Sequence, residues 1–211
     1  MTRPVVLGLT GSIGMGKSTT AQVFREAGVP VWDADAAVHR LYAPGGAGVA
    51  AVAHLCPGAV AAGAVDRAAL REAAMSDPGL LARLEAAIHP LAAADRAAFL
   101  RQAGAAGAAV AVLDIPLLFE TGADREADAT IVVSAPRDIQ RARVLSRPGM
   151  TDAAFAAIEA RQMPDAEKRR RATWVIETTG LDSARADVAR ILSEARERHA
   201  RNSARHRNDG A

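Results

Sequence analysis

Residues 5–24 read VVLGLTGSIGMGKSTTAQVF, and this stretch decides the fold. An apolar run, Val5 to Leu9, meets a cluster of glycines and then Lys17, Ser18 and an amphipathic segment. Gly11 to Ser18 fits G-x-x-x-x-G-K-[ST] without gaps, between a predicted strand and a predicted helix. Each part has a physical task. Glycines admit positive φ and turn successive N–H groups inward as a nest for phosphate oxygens. The helix that follows adds its positive N-terminal end. Lys17 reaches the β- and γ-phosphates, and the Ser18 hydroxyl is a ligand for Mg²⁺. With this chain's own residue frequencies, the pattern arises by chance about once in a thousand such sequences. The lysine is telling in itself. Of 26 basic residues only Lys17 and Lys168 are lysine. A position that resists so strong an arginine bias calls for a compact ammonium on a flexible stem rather than a planar fork.

Outward from the loop, β-rich runs alternate with helical patterns. Val5–Thr10, Val29–Asp33, Val110–Asp114, Thr130–Ser134 and Thr173–Glu177 are short, rich in Val and Ile, and apolar on both faces, as strands of a buried parallel sheet are. Helical patterns lie at Lys17–Ala27, in several segments between Ala36 and Gln102, at Pro136–Arg147, and from Leu181 to about Ala200. The alternation predicts an α/β fold, a five-stranded parallel sheet with helices on both faces. Residues 1–35, 110–145 and 172–195 form its core. Residues 36–109, with no convincing strand, read as a helical subdomain. Residues 146–171 hold two short helical patterns divided by Met163-Pro164 and read as a lid.

Composition bounds the rest. At 211 residues the chain supports a substantial core, filled by Ala, Val and Leu because only 3% of residues are aromatic. No apolar run approaches the roughly 20 residues of a membrane span, and the start does not resemble a signal peptide. A single cysteine, Cys56, excludes an internal disulfide and points to a reducing cytoplasm. Cys56, Trp32 and Trp174 read as core or near-core residues. The net charge of +2 is uneven. Residues 195–211 carry five arginines against Glu197 and Asp209, and the stretch 196–211 reads as a basic, disordered tail. No RNA-recognition motif or array of aromatics accompanies it, so no nucleic-acid partner is expected. Sequence leaves the oligomeric state open.

A phosphate loop serves switches, motors and kinases alike. No base-reading Asn/Thr-Lys-x-Asp is present, which argues against a GTPase switch. The strand Val110–Leu113 ends at Asp114, which can hold Mg²⁺ through water, but Ile115 and Pro116 follow in place of a second acid for hydrolysis. A small-molecule kinase remains. VPVWDAD ends at Asp33-Ala34-Asp35, on the sheet edge where open α/β sheets place ligands. Either carboxylate can accept the proton of an attacking hydroxyl, and either can instead cap the next helix. Arg143 and Arg147 stand four apart on one helical face leading into the insertion that carries Arg161 and Gln162. Arginines of a closing lid stabilise equatorial phosphoryl oxygens and exclude water.

GLTGSIGMGKST, VWDAD, Ile88-His89-Pro90, DIPLLFE (Asp114 to Glu120), RARVLSR and RQMPDAEKRRRATWVIETTG occur in the order seen in dephospho-CoA kinases. The chain resembles that family from residue 5 to about 195. The resemblance implies a P-loop kinase fold and transfer of the ATP γ-phosphate to the ribose 3′-hydroxyl of dephospho-CoA, the last step of coenzyme A synthesis. It implies that Gly14, Met15, Gly16, Lys17, Ser18 and Thr19 hold ATP, with Arg143 and the loop from Glu177 to Gly180 on the nucleotide side. Asp35 is the implied base, Asp33 the second choice, and Arg147 the lid arginine. Residues 36–109 become the CoA-side subdomain, with His89 and Pro116, Leu117 and Leu118 lining the acceptor cleft. Ser12 and Met15 stand at x positions of the loop, where side chains can point outward. The rivals are another small-molecule kinase of this architecture and a nucleotide-dependent regulatory or RNA-binding protein.

Overall fold

The computed structural model describes residues 3–208. They form two compact units, residues 3–32 with 100–208, and Asp33–Phe99. The chain runs β1 (Val5–Thr10), α1 (Lys17–Glu26), β2 (Val31–Asp33), α2 (Ala34–Tyr42), α3 (Gly48–Leu55), β3 (Val60–Ala61), β4 (Ala64–Val65), α4 (Arg67–Ser76) and α5 (Leu80–Ala105). It continues through β5 (Val110–Asp114), β6 (Ala129–Ser134), α6 (Arg137–Leu145), α7 (Asp152–Glu159), α8 (Asp165–Arg171), β7 (Trp174–Glu177) and α9 (Leu181–Asn208).

The main sheet has the order β2-β5-β1-β6-β7. β1 lies at its centre, parallel to β5 (Val5 opposite Val110) and to β6 (Leu7 opposite Ala129), and β6 is parallel to β7 (Ile131 opposite Trp174). Every residue of β1, β5 and β6 is buried, which is why these strands read as unbroken apolar runs. β2 begins two residues later than the sequence suggests. Gly28, at φ 76°, ends α1, and the Val29 N–H closes that end on the Phe24 carbonyl, so it is not free for the sheet. The Pro30 carbonyl then accepts from Val112 N.

Phe24 and Ala21 of α1 meet the sheet together with a stripe on α9: Ala184, Val188, Ile191, Leu192 and Ala195. That spacing is the buried face of an amphipathic helix. Ile191 is fully buried, and Ile191→Ala is expected to lower unfolding free energy by about 2–5 kcal/mol, measurable by urea titration. Trp32 and Trp174 are buried and Cys56 packs, partly buried, against the core of the second unit, as the sequence indicates. The Trp174 indole donates to Glu194 (3.0 Å), and Arg198 stands 5.1 Å over its ring. α9 does not end near Ala200. It continues to Asn208, so residues 196–208 are helical where a disordered tail is expected, supported in part by the Arg201–Glu197 pair one turn apart. Residues 209–211 of that tail lie outside the described residues.

The second unit has its own core of Leu41, Val52, Ala59, Val65, Leu70, Leu80, Leu84 and Ile88. Asp66 caps α4 through Ala68 N (2.8 Å) and Ala69 N (3.1 Å). This unit is not wholly helical. β3 and β4 make a small antiparallel hairpin whose turn, Ala62-Gly63, has positive φ at both residues (49° and 75°). An Ala-Gly pair carries little of the usual Asn-Gly hairpin signal, which is why the strands escape a sequence reading. α5 also absorbs Pro90 without ending.

Candidate active site

β1 feeds the glycine loop directly into α1. Gly14 and Gly16 take φ values of 79° and 86°, and Gly16 is the cap residue from which α1 starts. Neither tolerates a side chain. A Cβ on Gly14 would lie 2.5 Å from Val144 Cγ2, and one on Gly16 2.9 Å from Thr178 Oγ1. The loop is therefore a tight backbone cradle whose shape two neighbouring elements dictate.

Side chains from outside grip its backbone. The Thr178 hydroxyl, after β7, donates to the Met15 carbonyl (2.8 Å) and accepts from Arg143 Nη1 (3.0 Å), while Arg143 Nη2 also donates to the Thr178 carbonyl (2.5 Å). Gln140 Nε2 on α6 donates to the Ile13 carbonyl (2.9 Å), and the Ile13 N–H donates to Gln162 Oε1 (3.1 Å). Gln140, Arg143 and Val144 are the i, i+3 and i+4 positions of one α6 face, so that helix serves the loop three times. Ser12 and Met15 do not point outward. Both are buried, and the Met15 sulfur accepts from Ala135 N (3.1 Å), because a loop pressed between β6 and α6 has an interior side to fill.

Lys17 Nζ lies 2.5 Å from Asp114 Oδ1, at the end of β5. Asp114 is buried, and Lys17 keeps some exposure. The chain around Asp114 is fixed by Ile115 N on the Leu9 carbonyl and by the Thr10 hydroxyl on the Pro116 carbonyl (2.9 Å). Asp114 and Lys17, both chosen from the sequence, are thus brought together, while Ser18 and Thr19 stay exposed in the first turn of α1. Of the three residues expected to line the acceptor cleft from this segment, Leu118 does not. It is fully buried against Gly8, as a residue on the inner side of a sheet connection must be, and only Pro116 and Leu117 reach solvent. Arg147 lies exposed just beyond α6 with Gly149 at φ 74° beside it, and Gly180 is exposed at the start of α9. In the second unit, Asp33 accepts from Ala36 N (2.9 Å) as the cap of α2, Asp35 is exposed in the first turn of the same helix, and His89 is exposed on α5.

A second polar cluster joins the segment after β5 to α8. Lys168 is fully buried and pairs with Glu120 Oε1 (2.9 Å), which also accepts from Met163 N (2.8 Å). Arg171 donates to Asp124 (3.1 Å) and stands 4.5 Å over the Phe119 ring, and the Ser134 hydroxyl donates to Asp165 (2.8 Å). Burial works to raise the Glu120 carboxyl, but Lys168 and the Met163 N–H outweigh it and hold the group below its ordinary value. A carboxyl lowered in the folded state stabilises above its unfolded value and loses that contribution as pH falls through the folded one. Wild type is therefore expected to exceed Glu120→Gln in urea midpoint at pH 6, with the gap narrowing by about pH 4 or below.

Gln140, Glu120 and Lys168 are the residues that reading the sequence leaves without a role, and Thr178 enters it only as a member of the Glu177–Gly180 loop, without its hold on Met15. For Lys168 the signal was present, since the lysine rarity that marks Lys17 marks it equally.

A glycine loop between the central strand and α1 of a parallel α/β sheet, with a lysine held on the acid ending a neighbouring strand, defines a P-loop kinase fold. The Dephospho-CoA kinase family model matches residues 5–183. A dephospho-CoA kinase of Cereibacter sphaeroides is 62% identical over 195 residues, 92% of this chain and 98% of that one. Among solved structures, a Thermus thermophilus protein superposes with a TM-score of 0.78 at 38% identity, covering 92% of this chain and 98% of its own. The dephospho-CoA kinase from Campylobacter jejuni shares the fold at a TM-score of 0.63 and 19% identity, with 90% and 96% covered. The chain belongs to the dephospho-CoA kinase family.

Proposed function

We infer that the protein transfers the γ-phosphoryl group of ATP to the ribose 3′-hydroxyl of dephospho-CoA, giving coenzyme A and ADP. The observation that carries this reading is the family match from residue 5 to 183, which takes in the phosphate loop, the Asp33-Ala34-Asp35 stretch, Ile88-His89-Pro90 and the segment from Asp114 to Glu120. The backbone N–H groups from Gly14 to Thr19 bind the phosphates, and Lys17 neutralises charge on the oxygens of the transferring group. Arg143, tied to the Thr178–Gly180 loop, serves the nucleoside side.

We assign the proton of the attacking hydroxyl to Asp35. The Asp33 carboxylate is engaged in capping α2, and the Asp35 carboxylate has no hydrogen bond or ion pair among the described residues, which favours it for this task. Arg147 belongs to the lid, residues 146–171. His89, Pro116 and Leu117 stand on the acceptor side, and the acceptor subdomain is the Asp33–Phe99 unit rather than the full span 36–109. The Ser18 hydroxyl and the Asp114 carboxylate are an oxygen donor set that suits a hard cation, and they are the residues for Mg²⁺. When bound, Mg²⁺ supplies Lewis-acid neutralisation of phosphate oxygens. The substrates are small and water-soluble, and no described helix is long and apolar enough to cross a membrane. We place the activity in the cytoplasm, without a nucleic-acid partner.

The test is ADP release with Mg-ATP and, in turn, dephospho-CoA, adenosine, AMP, CMP or no acceptor, with product mass recorded. ADP with dephospho-CoA alone, and a product one phosphate heavier, is the expected result. ADP with a different acceptor keeps the fold and mechanism and overturns the substrate.

A further inference from the structure

We propose that Glu120 and Lys168 are positioning residues for the phosphate loop, acting on it through the Gln162–Met163 peptide. The inference rests on the nucleotide-binding part of the reading above. Its links are consecutive. Glu120 Oε1 receives both the Lys168 ammonium (2.9 Å) and the Met163 N–H (2.8 Å). Met163 N belongs to the peptide that follows Gln162, so anchoring that N–H fixes where the Gln162 side chain starts. Gln162 Oε1 then accepts the Ile13 N–H (3.1 Å), while Gln140 holds the Ile13 carbonyl from the other side (2.9 Å). Ile13 stands directly before Gly14, the first of the two glycines at positive φ. A carboxylate after β5 therefore reaches the entrance of the nucleotide cradle through the Met163 N–H and the Gln162 side chain, to which the kinase reading gives no task beyond membership of the lid.

The choice of lysine fits this task. A fully buried arginine has five donors in a fixed fork to satisfy, whereas a lysine brings a compact charge with three, on a flexible stem that sets it 2.9 Å from one carboxylate oxygen. In a chain with 26 basic residues, the only two lysines both lie on acids that flank one connection, Asp114 at the end of β5 and Glu120 six residues later. The same connection thus sets the loop's lysine at one end and its entrance at the other. The Arg171–Asp124 bond and the Ser134–Asp165 bond hold α8 on either side of Lys168, so displacement of the pair is transmitted to Met163 rather than absorbed locally.

The readout is the ADP dissociation constant, by calorimetry on the full chain without any acceptor, together with the melting temperature. Glu120→Gln, which takes the negative charge from beside the buried Lys168 ammonium, and Gln162→Ala, which removes the acceptor of the Ile13 N–H, are each expected to weaken ADP about tenfold. Their double variant is expected to be no more than about threefold weaker than the worse single, since both break one path. Glu120→Leu combined with Lys168→Met removes both charges and leaves no unpaired ion, so it is expected to melt near wild type yet still bind ADP about tenfold more weakly. Recovery of ADP affinity along with melting temperature in that variant would make the pair merely structural and overturn the proposal. Normal ADP binding by folded Glu120→Gln, or losses that multiply in the Glu120→Gln/Gln162→Ala double, overturns it as well. If the charge-free variant does not fold, those two results decide alone. Failure of the kinase reading shows separately, as wild type that releases no ADP in response to dephospho-CoA.

Discussion

Asp35→Asn lowers kcat by roughly 10²–10⁴-fold, the range of general base catalysis, and leaves the ATP dissociation constant within about threefold of wild type. Asparagine keeps the shape of the side chain and loses only the capacity to accept a proton. Asp35 lies in the first turn of α2, exposed, while its neighbour Asp33 holds the helix start through Ala36 N. The companion variant Asp33→Asn separates the two roles. An asparagine caps a helix nearly as well as an aspartate, so Asp33→Asn is expected to stay within about tenfold of wild-type turnover. Steady-state kinetics with dephospho-CoA and calorimetry with ATP give both numbers. Near-normal turnover in Asp35→Asn removes it as the base, and a collapse confined to Asp33→Asn transfers the role to that residue.

Lys17→Arg is expected to reduce kcat/KM for ATP by about 10²–10³-fold, as much as Lys17→Met does, although it conserves the charge. The ammonium sits 2.5 Å from a buried carboxylate at the base of a cradle where Gly14 and Gly16 have no space for even a methyl group beside them. A guanidinium is wider, planar and carries five donors, and it delivers charge as a fork rather than as a point. Equal losses in the two variants assign the requirement to geometry. An arginine variant within about tenfold of wild type assigns it to charge alone and contradicts the reading of the lysine bias.

The fold was largely legible because its strands are buried on both faces and so appear as Val- and Ile-rich runs, bounded by glycine, proline or acid. The phosphate loop was legible because its glycines answer a backbone requirement that no other residue meets. What stayed hidden depends on contacts across long sequence distances. Thr178 matters through its hydroxyl on Met15, and Gln140 through its amide on Ile13, and neither residue type is marked by period or spacing. The facing of Met15 stayed open because x positions have no pattern to say which way they point, and β6 supplied the interior side. The family resemblance implied Leu118 as a cleft residue beside Leu117, but Gly8 offers a space that its methyl groups fill. Arginine-rich α9 passed for a tail beyond Ala200 since its apolar stripe ends at Ala195, whereas helix continuation there depends on pairs such as Arg201 with Glu197.

The strand order also governs how the chain can fold. β1, the first strand made, forms no sheet until β5 arrives, and Val5 must wait for Val110. Closing a segment that long costs entropy before any ladder bond is gained, and non-local pairing of this kind slows folding. The intervening Asp33–Phe99 unit has a core of its own, whose members all lie between Leu41 and Ile88. Once collapsed, it turns most of the segment into a compact bead and shortens the length left to search. The phosphate loop, suspended from β1 and gripped by α6 and the residue after β7, is then among the last parts of the molecule to acquire its shape, and nascent chains cannot bind nucleotide before nearly all of the sequence has been synthesised.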